Sequence, residues 1–135
     1  MVFEKIHHIG IVVGDLAEAM DAYSVGLGLV AEEIVEIHDV QLRVAVLQAG
    51  CVKIELLEYG DPEIPIVELL CGNKKGLNHI CYEVDNLEEA IEQLKSRSFG
   101  LVRGFPRKGV HGTVAFLIPP HNHDERIEIL EVDHE

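Results

Sequence analysis

The stretch His8-Ile-Gly-Ile-Val-Val-Gly-Asp15-Leu16-Ala-Glu-Ala19-Met20 is written again, 71 positions later, as His79-Ile-Cys-Tyr-Glu-Val-Asp-Asn86-Leu87-Glu-Glu-Ala90-Ile91. The correspondence continues outward from it. Leu27-Gly28-Leu29-Val30 answers Phe99-Gly100-Leu101-Val102, and Val44-Ala45-Val46-Leu47 answers Val114-Ala115-Phe116-Leu117. Each copy closes on one cadence, Ile54-Glu55-Leu56-Leu57-Glu58 and Ile127-Glu128-Ile129-Leu130-Glu131. The offset drifts only between 70 and 73, as small loop insertions allow.

Local patterning turns each copy into the same series of elements. Residues 7–13 are an apolar, β-branched run, which reads as a strand. Asp15 with Glu18 three residues on resembles a capping box, and Leu16, Ala19, Met20 and Tyr23 then mark one helical face that Gly26 and Gly28 end. Three strands are expected over 29–37, 41–48 and 51–58, with turns at His38-Asp39 and Ala49-Gly50. The second copy repeats the order. A strand spans 79–84, Asn86 caps a helix with an inner stripe of Leu87, Ala90, Ile91 and Leu94, and strands follow near 100–104, 113–118 and 126–132. Asp61-Pro62 opens a short helical linker, Ile64 to Leu70, that Gly72-Asn73 ends. The expected fold is α+β: two tandem βαβββ modules, at about 5–60 and about 77–132, joined by a linker helix within 61–76. Strand pairing is expected to give one open, barrel-like sheet with a concave metal site, in a single domain spanning 1–135.

Bulk properties bound the function. A chain of 135 residues with 47% hydrophobic residues suits one globular domain. Its longest apolar runs are far too short for a bilayer, and Met1-Val2-Phe3-Glu4 lacks the features of a secretory signal. Cys51, Cys71 and Cys81 make an odd set without Cys-x-x-Cys spacing, which favours a reducing, cytoplasmic compartment. A net charge of -13 argues against nucleic acid as a partner. It leaves room for a small anionic ligand, because Arg103, Arg107 and Lys108 cluster in one loop.

The chemistry is carried by four residues. Strand alternation sets Glu55 and Leu57 opposite Ile54 and Leu56, and Glu128 and Leu130 opposite Ile127 and Ile129. A carboxylate among apolar neighbours in a central strand needs compensation, which a divalent cation supplies. His8 and His79, at equivalent places in the repeat, add two neutral nitrogen ligands. Two nitrogens and two carboxylates suit Zn, Ni, Co, Fe or Mn better than Ca or Mg. A single strand histidine or sheet glutamate is ordinarily structural; four at repeat-equivalent positions form a metal-site composition. His7, on the other side of its strand, is expected not to ligate. His111-Gly112, just before a strand, is the candidate substrate contact, with a plain turn as the competing reading. His121-x-His123-Asp124 reads as a solvated loop.

With these residues in view, the chain resembles the vicinal oxygen chelate (glyoxalase/bleomycin resistance/dioxygenase) superfamily and, within it, the methylmalonyl-CoA epimerases. The resemblance rests on His8-Ile-Gly-Ile-Val-Val, Val52-Lys-Ile-Glu55-Leu-Leu-Glu, Ile64-Pro-Ile-Val-Glu-Leu-Leu, Gly76-Leu-Asn-His79-Ile-Cys-Tyr-Glu-Val-Asp and Val110-His-Gly112-Thr-Val-Ala-Phe-Leu. It implies that His8, Glu55, His79 and Glu128 ligate a divalent metal, whose Lewis acidity stabilises an enolate formed when the α-proton of an acyl-CoA leaves. It further implies an isomerase, with Glu128 and Glu55 the catalytic carboxylates and Glu128 the first candidate base. Some epimerases carry a second catalytic glutamate in the strand matching 42–47. Here that strand reads Leu-Arg-Val-Ala-Val-Leu, and Glu36 and Asp39 are the nearest acidic substitutes. A homodimer is expected from the resemblance. The alternatives are a lactoylglutathione lyase acting on a glutathione thiol adduct, suggested by Val13-Gly14-Asp15-Leu16 and the closing cadence, and a non-catalytic small-molecule binder. The linker favours the epimerase. Four symmetric ligands argue against a ring-cleaving dioxygenase, which uses three, and against a binder, which commonly lacks them.

Overall fold

A computed structural model describes residues 3–133. Of these, residues 8–78 make one compact unit, and residues 79–133 together with 3–7 make another. The fold class is α+β, as the patterning predicts.

In the unit of residues 8–78, the later part of β1 (Phe3–Val12) pairs in parallel with β4 (Val52–Tyr59). β3 (Leu42–Ala49) lies antiparallel to β4, and β2 (Val30–Ile37) antiparallel to β3, giving the order β2-β3-β4-β1. The helix α1 (Leu16–Met20) starts where Asp15 accepts the Glu18 N–H at 3.0 Å. Its continuation, Asp21–Gly26, widens to π-helical bonding, with the Leu27 N–H donating to the Ala22 carbonyl. The predicted face survives this widening, since Leu16, Ala19, Met20 and Tyr23 all pack on Ile11, Ala45, Leu47 and Leu56. The linker helix α2 (Pro65–Leu70) begins on a proline, whose missing N–H is no loss at a helix start, and turns out through Gly72 at φ +57°.

In the other unit the order is β1, β5 (Gly76–Val84), β9 (Arg126–Val132), β8 (Gly112–Ile118), β6 (Gly100–Leu101). β5 pairs in parallel with β9, and β8 runs antiparallel to it. Neither order closes on itself, so the sheet is open. Asn86 accepts the Glu89 N–H at 2.9 Å and starts α3 (Leu87–Ser96), whose predicted stripe Leu87, Ala90, Ile91 and Leu94 is buried against Ala115, Leu117 and Ile129. One expectation is corrected. The strand predicted near 100–104 keeps only Gly100–Leu101, and a two-residue β7 (Arg107–Lys108) instead joins β8. Pro106 has no N–H to continue a ladder, and the Phe105 N–H turns back to the Val102 carbonyl.

Candidate metal centre

The register of each parallel pair decides what the four predicted residues meet. In the unit of residues 8–78, Glu55 stands opposite Gly10 of β1 on one side and Val46 of β3 on the other. His8 lies two residues before Gly10, so it shares that face and reaches Glu55 diagonally. Its Nε2 is 3.4 Å from Glu55 Oε1. In the other unit Cys81 stands opposite Glu128, with Phe116 on the far side, and His79 lies two residues before Cys81. Here Nε2 to Oε1 of Glu128 is 3.1 Å. The same local geometry is thus built twice from the same sequence spacing.

The opposite faces of these strands carry the helices. Leu56 and Ile54 join the cluster under α1, and Ile129 joins the cluster under α3, while Leu130 packs with Cys81 and Val114 on the carboxylate side. The alternation read from Glu55 and Glu128 therefore holds in both units.

Burial singles out the four residues. Among the described residues, the buried polar or charged side chains are His8, Glu55, His79 and Glu128, at 3%, 5%, 7% and 7% exposure. Ionisable groups taken out of water need a compensating charge. Two ligand atoms at about 2.1 Å from one ion, set at a right angle, lie about 3 Å apart. The His79–Glu128 pair, at 3.1 Å, is close to that spacing, and the His8–Glu55 pair, at 3.4 Å, matches the wider tetrahedral angle. Imidazole nitrogen with carboxylate oxygen is a donor set that fits a divalent transition ion.

The surroundings of the two pairs differ at one place between the copies. The His79 ring meets Phe116 edge-on, with centroids 4.9 Å apart, and Phe105 backs Phe116 at 5.1 Å. Val46 holds the equivalent place in the first copy, so Phe116 gives His79 an aromatic wall that His8 does not receive from this position. The sequence signal was the Val-to-Phe exchange between copies.

Sequence reasoning also left the last glutamate of each cadence without a role. Glu58 accepts the Leu16 N–H at 2.8 Å, and Glu131 accepts the Leu87 N–H at 2.8 Å. Each cadence thus carries two carboxylates on opposite faces. The first belongs to the candidate centre; the second satisfies an otherwise orphaned N–H at the start of its helix, where negative charge is favoured. The repetition of both glutamates is the signal that could have found this.

The remaining candidates fall elsewhere. Glu36 is 54% exposed and pairs with Arg43 at 3.8 Å and His38 at 3.9 Å, and Asp39 sits in an exposed turn. The buried residues of β3 (Leu42, Val44, Ala45, Val46, Leu47) include no carboxylate. His111 lies against His7, with ring centroids 4.5 Å apart. Gly112 starts β8 where the β9 backbone comes so close that a Cβ would stand 2.2 Å from the Glu131 carbonyl. Close packing alone therefore demands glycine there. His121 pairs with Glu125 in an exposed loop. In the basic loop, Lys108 pairs with Asp133. Burial pushes the Cys71 thiol above its ordinary range, and the nearby Lys75 ammonium partly offsets this.

Residues 7–116 match the family model of the glyoxalase/bleomycin resistance protein/dioxygenase superfamily. An uncharacterised Bacillus subtilis protein, YqjC, is 31% identical over 94% of this chain and 91% of its own length. The ethylmalonyl-CoA/methylmalonyl-CoA epimerase of Cereibacter sphaeroides is 31% identical over 95% of this chain and 98% of its own. Among solved structures, a variant of the Streptomyces coelicolor methylmalonyl-CoA epimerase in complex with 2-nitronate-propionyl-CoA superposes with a TM-score of 0.84. It is 21% identical and is covered over 98% of this chain and 100% of that one, a likeness of fold.

Proposed function

Because the chain belongs to the methylmalonyl-CoA epimerase family of the glyoxalase/bleomycin resistance protein/dioxygenase superfamily, we propose that it epimerises methylmalonyl-CoA or a similar acyl-CoA by moving the α-proton. The observation that carries this reading is the burial of His8, Glu55, His79 and Glu128 as two repeat-equivalent pairs. The relative from Cereibacter sphaeroides, which the chain matches along nearly its whole length, supports the substrate class. The Streptomyces coelicolor complex shows this fold accepting a propionyl-CoA analogue in a relative.

In this reading His8, Glu55, His79 and Glu128 together hold one divalent ion, drawn from Co, Ni, Zn, Mn and Fe. When bound, the ion supplies Lewis acidity that lowers the energy of negative charge on the thioester oxygen. Glu128 takes the α-proton at a carboxylate oxygen and can return it. Glu55, the other buried carboxylate, is the second catalytic group in this reading. Leu130 and Phe116 beside Glu128, and Leu57 and Val46 beside Glu55, keep water from the proton in transit. His111 is proposed as a substrate contact, supported by its place just before β8. A cytoplasmic homodimer completes the proposal; the unbridged thiols of Cys51, Cys71 and Cys81 are consistent with a reducing compartment.

The test is exchange of the α-proton of methylmalonyl-CoA in D2O, followed by mass spectrometry, beside incubation with methylglyoxal and glutathione. Deuterium entering the CoA ester is expected. Turnover of the glutathione adduct without such entry would replace the epimerase by the lyase.

A further inference from the structure

The far end of β1 and β4, in the unit of residues 8–78, lies away from the His8–Glu55 pair. A cavity of about 420 Å³, its open mouth included, is lined there by Val13, Gly14, Tyr59, Asn73, Lys74 and Lys75 among others, and none of its lining residues is acidic. That composition stands out in a chain with 24 Asp and Glu against 11 Lys and Arg. Among the described residues, neither Lys74 nor Lys75 forms an ion pair with a carboxylate, whereas Lys5, Lys53 and Lys108 each do. A chain of net charge -13 repels anions at long range, so two adjacent lysines lining one concavity give an anion a local attraction that the chain as a whole does not.

The backbone is shaped to hold Lys75 in this place. A Cβ on Gly14 would stand 2.9 Å from Lys75 Cε, so the lysine stem lies directly over the glycine. The left-handed turn at Gly72 brings Asn73 to Lys75 back over the strand ends. Two ammonium groups and a side-chain amide offer donors to an oxyanion bearing several acceptor oxygens.

We propose that this cavity binds a phosphate-type anion, that of the nucleotide end of an acyl-CoA. The proposal rests on the acyl-CoA reading given above and extends it by assigning where the substrate's charge is held. Val12 is four residues beyond His8 on β1, about 13 Å along the strand, so the cavity is separate from the His8–Glu55 pair.

Calorimetric titration with free CoA, with pantetheine (which has no phosphate) and with pyrophosphate tests it, on the unaltered protein, on the Lys74→Gln/Lys75→Gln double variant and on Gly14→Ala. Exposed lysines tolerate glutamine, and Gly14→Ala displaces only the end of a flexible side chain, so all three proteins should fold. CoA should bind the unaltered protein and lose about tenfold or more in affinity in the double variant, with a weaker salt dependence. Gly14→Ala should weaken CoA with no change in charge, and pantetheine should respond to neither change. The proposal is overturned if the unaltered protein does not bind CoA, or if the double variant binds it equally well. It is also overturned if pyrophosphate binds without competing with CoA, which would make the cavity a site for free phosphate only. Deuterium exchange reads the epimerase separately. CoA binding that depends on the lysines without exchange would remove that reaction and keep this site; exchange with lysine-independent CoA binding would do the reverse.

Discussion

Replacing Glu128 by Gln keeps the side chain's shape and one acceptor oxygen but removes the charge that the proposed centre requires. Glu128 is 7% exposed and 3.1 Å from His79, so little bulk water is at hand to take the lost oxygen's place. An ion present at about 1,000 times its dissociation constant stabilises the fold by about 4 kcal/mol. If the variant binds that ion about a hundredfold more weakly, about 2.7 kcal/mol of this is lost. For a chain of 135 residues, 1 kcal/mol moves Tm by about 3–5 °C. The metal-induced rise in Tm should therefore be smaller in Glu128→Gln by about 8–13 °C, while the two chelator-treated proteins melt within a few degrees of each other. Calorimetry with chelator, then with Zn, Ni, Co or Mn added, measures both differences. An equal rise in both proteins would refute the assignment of Glu128 as a ligand, and no rise in the unaltered protein with any ion would refute the centre itself.

Other consequences are as direct. Glu58→Ala and Glu131→Ala each remove the acceptor of a helix-start N–H held at 2.8 Å, and each should cost about 1–2 kcal/mol in urea unfolding; a loss below about 0.3 kcal/mol would show that water replaces the carboxylate. Gly112→Ala drives a Cβ into the Glu131 carbonyl and should destabilise by about 2 kcal/mol or more, read as a lowered urea midpoint, and an unchanged midpoint would contradict the close approach of β8 and β9. The raised pKa of Cys71 means that the unfolded chain loses this thiol proton first as pH rises, so stability from this group is full below the ordinary thiol range and declines above it. Cys71→Ala should flatten that alkaline decline in pH-dependent unfolding, and iodoacetamide should label exposed Cys51 well before Cys71.

How much was legible follows from the range over which each feature is decided. The cap at Asn86 and the stripe Leu87, Ala90, Ile91 and Leu94 are set within a few residues, and both stand as read. The two-residue alternation around Glu55 and Glu128 likewise fixed which side chains share a face. Gly104, Phe105 and Pro106 were less legible: their turn cut the strand expected at 100–104, because the chain's apolar pattern there does not reveal a lost ladder donor.

By itself, the sequence determined the duplicated βαβββ order and the pairing of one histidine with one glutamate in each copy, because strand and helix periods act on neighbouring residues. Tertiary structure decided which groups Glu58 and Glu131 meet, helix-start N–H groups 42 and 44 residues away. It decided as well that Phe116 walls His79, that β9 leaves no room for a side chain at Gly112, and that Lys75 crosses Gly14 at the rim of a cavity. Those contacts join residues distant along the chain, and the register that brings them together exists only once the strands have paired.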